Sequence, residues 1–291
     1  MRRDTRQPDP ACDDAPVQPF PGLEHQPFDE GDGPSTAVLV HGFPGTPAEM
    51  RPVATALRAI GWRVRAPLLP GFGAEWASLA TRRWGEWRAS VAETLRAARC
   101  DSDRVLLVGF SMGAALALTS IHDEAATVDG LVLLAPFTRL PDRRASLLPI
   151  VKRFVPSFRP YATVDLDDPS VRAELTVKLG EIDLDAPSVR ARVRRDVTVP
   201  TAAVDEVRKA GAHAWRVAPR LHPRPTLVVQ GQRDTTVVPQ STVGLLRRFA
   251  FEPLRLFIAD ADHKMVLPDR PGHAEVLRAV QRFGHARLGR L

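Results

Sequence analysis

Short apolar runs alternate with amphipathic stretches along most of the chain. Ala37-Val38-Leu39-Val40, Val105-Leu106-Leu107-Val108, Leu131-Val132-Leu133-Leu134 and Thr226-Leu227-Val228-Val229 are nearly unbroken in apolar character. Runs this short, without polar alternation, predict strands buried on both faces, as in a parallel sheet. Trp62-Arg63-Val64-Arg65-Ala66-Pro67 and Leu254-Arg255-Leu256-Phe257-Ile258 read as two more strands. Between the strands lie stretches of helical period. Residues 48–60 place Val53, Leu57 and Ile60 on one face, and Gly61 stops them. Residues 84–99 do the same with Trp84, Trp87, Val91 and Leu95, and helices are also predicted over 112–122, 239–251 and 271–288. Alternating strands and helices predict an α/β fold with a mostly parallel central sheet flanked by helices.

The rhythm breaks between Phe137 and Pro223. That stretch has no clear buried strand and is rich in Arg, Asp and Pro, with helical pieces around 147–154, 170–179 and 201–217. It reads as a helical cap, residues 137–223, inserted into a core made of residues 20–136 and 224–291. Residues 1–19, rich in Pro and Asp and without periodicity, read as a flexible tail.

Composition narrows the class only a little. The chain has 291 residues, 44% hydrophobic and 25% charged, as ordinary globular proteins do. No apolar run approaches the length of a membrane span, and no apolar segment follows the charged start, so a cytoplasmic protein without stable membrane insertion is expected. The formal charge of +6 comes mostly from arginine, densest at Arg139 to Arg144 and Arg190 to Arg195. These arginines are interleaved with acids, which favours a solvated surface over a nucleic-acid partner. The two cysteines, Cys12 and Cys100, exclude a disulfide framework and define no metal site.

The candidate chemistry centres on Gly109-Phe110-Ser111-Met112-Gly113, which follows a predicted strand and opens a predicted helix. In that context a G-x-S-x-G sequence bends sharply, and the glycines leave room for a strained serine at the top of the sheet. The helix start aims free N–H groups at the same point. Ser111 is therefore the candidate nucleophile. A serine hydroxyl needs a base, and the base an orienting acid.

His41-Gly42-Phe43-Pro44-Gly45, directly after the first buried strand, resembles the His-Gly oxyanion loop of α/β hydrolases. Together with the serine motif it resembles their catalytic core. The resemblance implies an α/β-hydrolase fold and backbone oxyanion donors at Phe43 and Met112, with His41 shaping the loop. It also implies a base at His263, just past the last predicted strand, while His25, His122, His213, His222, His273 and His285 have surface or packing roles. The acid matches the family position at Asp234, in Gly231-Gln232-Arg233-Asp234. Asp260 and Asp262 remain rivals beside His263, although near neighbours in a loop more often shape the turn.

Leu69-Pro70-Gly71-Phe72-Gly73 and Trp84-Gly85-Glu86-Trp87 narrow the resemblance to carboxylesterases related to monoacylglycerol lipases, over residues 20–288. Phe72 departs from the family's usual His there and is expected to alter a pocket wall. The implied activity is cleavage of a small-molecule ester through an acyl-enzyme, without metal or organic cofactor. Thioesterase, C–C hydrolase, perhydrolase and acyltransferase chemistry share the same machinery, and a non-catalytic binding protein is the remaining alternative. In the cap, Leu147, Leu148, Val151, Phe154 and Phe158 are expected either to line an acyl pocket or to pack the cap onto the core. Oligomeric state is left open.

Overall fold

The computed structural model describes residues 17, 19–123, 128–140 and 147–287. The tail expected over 1–19, Cys12 and the arginines at 143 and 144 lie wholly or almost wholly outside the described residues. In chain order the elements are β1 (Phe28–Glu30), β2 (Ser35–Val40), α1 (Arg51–Arg58), β3 (Arg63–Ala66), α2 (Trp84–Cys100), β4 (Arg104–Phe110), α3 (Met112–Asp123) and β5 (Gly130–Leu134). There follow α4 (Leu148–Val151), β6 (Ser157–Phe158), α5 (Pro169–Leu179), α6 (Pro187–Asp196), β7 (Val199–Pro200) and α7 (Thr201–Val217). The chain closes with β8 (Thr226–Gly231), α8 (Pro239–Leu246), β9 (Leu254–Ile258) and α9 (His273–Arg287).

Seven strands form one sheet in the order β1-β3-β2-β4-β5-β8-β9. Every neighbouring pair is parallel except the edge pair β1 with β3. The apolar runs follow from burial on both faces. Successive side chains of a strand point to opposite sides. Val38, Val40, Leu107 and Leu131 enter a core built with α2, α3 and α7, while Ala37, Leu39, Leu106 and Val132 enter one built with α1 and α9. The β2 and β4 register, Ser35 opposite Arg104 through Val40 opposite Gly109, ends both central strands at one level. The loops after them therefore meet at one edge of the sheet.

Four helical boundaries differ from expectation. The segment predicted over 48–60 starts as a 3-10 turn, Pro47–Met50, because Pro52 lacks the N–H that would bond the Ala48 carbonyl in a continuous α-helix. The helix expected over 239–251 stops at Leu246, beyond which Phe249 turns into the core and stacks near Phe251. The helix expected over 271–288 begins at His273, after Gly272 with its positive φ of 82°. The helix expected over 147–154 shrinks to Leu148–Val151.

The segment between β5 and β8 divides into two packing environments. Tyr161, Leu166, Leu175, Leu179, Leu184, Val193 and Val197 form their own small core. In contrast, α7 joins the main core through Ala203, Val207, Ala210 and Ala214, and Gly211 lets it approach the ring of Phe137. Its buried Asp205 holds Lys152, just after α4, and its buried Glu206 holds Arg83 and Lys209. Helix α6 and the short antiparallel ribbon of β6 and β7 were not expected from the sequence. Of the apolar residues expected either to line an acyl pocket or to pack the cap, Leu147 and Phe158 are about half exposed and Phe154 is 80% exposed, so these do not pack the segment onto the core. Several arginines of this segment are taken up by acids, Arg172 and Arg190 by Asp167 and Asp185, and Arg195 by Asp196. Among the described residues, no helix is long and apolar enough to cross a membrane.

Candidate active site

Ser111 sits between β4 and α3 with φ of 53°, in the left-handed region that residues with a side chain rarely occupy. Its own N–H donates to the carbonyl of Leu134 at 2.9 Å, and its carbonyl accepts from Ala114 N–H at 3.0 Å, so the strained turn is held from both sides. The glycines around it are steric necessities. A Cβ on Gly109 would come within 2.6 Å of the Ala114 backbone, and one on Gly113 would run into the carbonyls of Val40 and His41.

Two other loops converge on this serine. Strands β8 and β9 are neighbours, and Gly231 at the end of β8 allows the loop after β9 to pass close by at Ala261. Arg233 N–H donates to the Ala261 carbonyl at 2.9 Å and ties the two loops together. That packing brings Asp234 and His263 into contact, with Nδ1 of His263 2.8 Å from Oδ2 of Asp234. The imidazole Nε2 lies 3.0 Å from Ser111 Oγ. A carboxylate only accepts, so Nδ1 donates to Asp234 and Nε2 is left to accept from the serine hydroxyl.

Asp234 is buried and well supplied with donors. Its Oδ1 accepts from the N–H groups of Thr236 and Val237 at 2.8 and 2.7 Å, and its Oδ2 accepts a third bond from Gln230 at 3.2 Å. The rivals are engaged elsewhere. Asp262 accepts from Lys264 N–H and pairs with Arg270, while Asp260 pairs with Arg233. Gln230 escaped the sequence reading, although a polar residue inside the buried run Val228-Val229-Gln230 is the kind of anomaly that signals it. Its amide bridges Asp234, Val237 and Thr242.

The loop after β2 lies directly against the serine: a Cβ on Gly42 would be 3.2 Å from that of Ser111. His41 shapes this loop as expected. It is completely buried, donates from Nδ1 to the Gly42 carbonyl at 2.9 Å and accepts the Leu69 N–H at Nε2 at 3.3 Å. Using both nitrogens fixes a neutral tautomer, and burial pushes its pKa down to about 4. Among the described residues no protein acceptor takes the N–H of Phe43 or of Met112. Both groups belong to backbone beside Ser111 and remain available to a bound anion.

The other histidines stay apart from this arrangement. His25 is buried and bonded to Thr46 at 2.7 Å, and His213 lies against Trp84. Phe72, expected to alter a pocket wall, is instead fully buried beneath the loop. Its ring packs edge-on against His41, Phe43 and Trp87.

Comparison with known proteins agrees with this architecture. A family model described as Hydrolase_4, serine aminopeptidase S33, matches residues 34–266. A thermostable monoacylglycerol lipase from Bacillus sp. (strain H-257) is 37% identical over 93 residues, which span 32% of this chain and 37% of the lipase. Among solved structures, one from the work on the metagenome-derived lipolytic enzymes LipS and LipT superposes with a TM-score of 0.74 at 19% identity, over 91% of this chain and 98% of that one. The monoacylglycerol lipase of Paleococcus ferrophilus gives 0.68 at 17% identity, over 90% and 98%. At these identities the two superpositions establish the shared α/β-hydrolase fold.

Proposed function

We propose that this chain, which belongs to the Hydrolase_4 (serine aminopeptidase, S33) family of α/β hydrolases, cleaves small carboxylic esters with Ser111 as nucleophile. The observation that carries this reading is the hydrogen-bonded line from Ser111 Oγ through His263 to Asp234, lying against the Gly42 loop. The lipase that aligns with part of the chain supports the choice of ester.

In this reading His263 Nε2 takes the proton as Ser111 Oγ attacks the carbonyl carbon. The N–H groups of Phe43 and Met112 meet the charge that develops on the carbonyl oxygen. His263 then returns the proton to the leaving alcohol as the C–O bond breaks, giving the acyl-serine. Water, deprotonated by the same imidazole, attacks the acyl carbon, and the bond to Ser111 Oγ breaks as His263 returns the proton to it, releasing the acid and the free serine. Asp234 holds the imidazole with Nδ1 protonated and balances its charge while it is cationic. The segment 137–223 acts as the cap that shapes access to the serine.

A fluorophosphonate probe together with a p-nitrophenyl ester series tests the reading. The native protein is expected to label and to hydrolyse esters, and Ser111→Ala to do neither. Absence of labelling beside a reactive control hydrolase would overturn the nucleophile. Turnover of acyl thioesters or aminoacyl anilides with oxyesters left untouched would overturn the choice of ester.

A further inference from the structure

Glu49 stands outside the line from Ser111 to Asp234, yet its carboxylate is folded back into the loop that lies on the serine. It sits in the 3-10 turn Pro47–Met50 that follows the loop. Its Oε1 accepts the Gly42 N–H. The loop wraps closely around it: a Cβ on Gly45 would come within 2.5 Å of the carboxyl carbon, and one on Gly42 within 3.2 Å of Oε1. The same Gly42 position is 3.2 Å from the Ser111 Cβ. Carboxylate and serine therefore flank a single glycine.

Both ends of Gly42 are held. Its N–H is taken by Glu49, and its carbonyl accepts from His41 Nδ1 at 2.9 Å and from Gly45 N–H at 3.1 Å. The peptide joining Gly42 to Phe43 is planar and trans, so fixing that carbonyl also fixes the opposed direction of the Phe43 N–H. His41 and Gly45 alone leave the glycine free to turn about its own φ, since Gly has no Cβ to restrict it. Glu49 removes that freedom.

We infer that Glu49 is a positioning residue for the reaction proposed above: it pins the Gly42 N–H and so sets the plane in which the Phe43 N–H meets the oxyanion. The inference rests on that functional reading. Glu49 touches neither substrate nor serine oxygen and acts through the backbone alone.

Its ionisation gives the role a signature. Burial raises the Glu49 pKa to about 7, against the opposing pull of the Gly42 N–H and of Lys178 in α5. The nearby histidines do not add charge at neutral pH, and the nearby arginine carries a charge that does not change with pH. His41 and His25 are both kept neutral by burial, and Arg51 is engaged with Glu30 and the ring of Phe28. Above about pH 7 the Gly42 N–H meets a carboxylate, the stronger acceptor; below it, a neutral acid.

Steady-state kinetics of the full chain with p-nitrophenyl butyrate, for wild type, Glu49→Gln and Glu49→Ala, test this. Losing one oxyanion donor outright costs about 100- to 1,000-fold in kcat, which bounds the effect of disorienting it. Glu49→Ala is expected to approach that bound with KM changed by less than about threefold, and Glu49→Gln, which keeps an acceptor oxygen, to lose roughly tenfold. The ratio of wild-type to Glu49→Gln kcat is expected to rise from pH 6 to pH 8. A ratio that stays flat over that range, or a folded Glu49→Gln with wild-type kcat at pH 8, overturns the role. Should Glu49→Ala fail to fold, the near-isosteric Gln variant and its pH ratio decide alone. Failure of the parent reading looks different: the wild type itself then neither labels with fluorophosphonate nor hydrolyses the ester, and the role of Glu49 falls with it.

Discussion

Acidification probes the buried imidazole of His41. In the native state this ring is fully enclosed, donates to the Gly42 carbonyl and accepts the Leu69 N–H. A second ring proton would face the Leu69 N–H with no acceptor. Burial accordingly pushes the pKa from 6.5 down to about 4. The native protein then binds fewer protons than the unfolded chain between these values, so stability is whole above pH 6.5 and is lost as pH falls toward 4. From those two pKa values the loss is about 2 kcal/mol at pH 5 and about 3 kcal/mol at pH 4. Glu49 works in the opposite sense: its raised pKa makes the native state the better proton binder from about pH 7 down to 4.5, so it gains stability there. That term and the surface carboxylates are common to wild type and His41→Gln. Urea unfolding of both proteins from pH 7.5 to pH 4.5 isolates His41 as the difference between the two curves. Wild type should start more stable and converge on the variant by about 2 kcal/mol near pH 5. Parallel curves would refute the assignment of a neutral, doubly bonded imidazole.

Replacing Asp234 by Asn keeps the shape but removes the charge that fixes the His263 tautomer, so kcat for a p-nitrophenyl ester should fall on the order of 10⁴-fold with KM nearly unchanged. Phe72→Ala opens a hole beneath the loop among His41, Phe43 and Trp87 and should cost about 3–5 kcal/mol in urea unfolding. A loss below about 1 kcal/mol would return Phe72 to a pocket wall.

The strands of the sheet's interior were legible because burial on both faces writes an unbroken apolar run, and few other environments in a folded chain write the same pattern. Edge strand β1 was not legible. Its sequence is Phe28-Asp29-Glu30, in which only Phe28 is buried while Asp29 reaches Arg63 and Arg65 across the strand pair. Helix α6 hid for a related reason: Val193 is its buried apolar residue, and its arginines bind acids instead of presenting an apolar stripe. At the site, Ser111 announced itself through local sterics and His263 through its place after a strand. Choosing Asp234 over Asp260 and Asp262 rested on family position and on the tendency of near neighbours in a loop to shape the turn. The structure supplies the physical discrimination, because Arg270 and Arg233 draw the rivals away. Glu49 was invisible, since its partner is a backbone N–H seven residues back in an irregular loop, a contact with no periodicity.

The same loop shows how burial sets the charge beside the serine. His41 and Glu49 both bond to Gly42 from opposite ends of the loop, and burial drives each toward its neutral form, the imidazole down to about 4 and the carboxyl up to about 7. Above pH 7 one negative charge therefore stands behind the proposed oxyanion donors, where an uncompensated anion would oppose the charge developing on the substrate. Compensation comes from the segment between β5 and β8, through the field of Lys178 of α5. Four residues before it on the same helix, Glu174 binds Lys178 and Tyr161 and also pairs with Lys264, which directly follows His263. Burial alone would raise the Glu174 pKa, but Lys178 and Lys264 hold it near 2, so it stays ionised at every pH at which an esterase would be assayed. Helix α5 thus couples to both loops, through the field of Lys178 on Glu49 and through the ion pair of Glu174 with Lys264. Under the proposed function, a shift of α5 would change the electrostatics of both loops at once, which couples the proposed cap to the serine's charge environment.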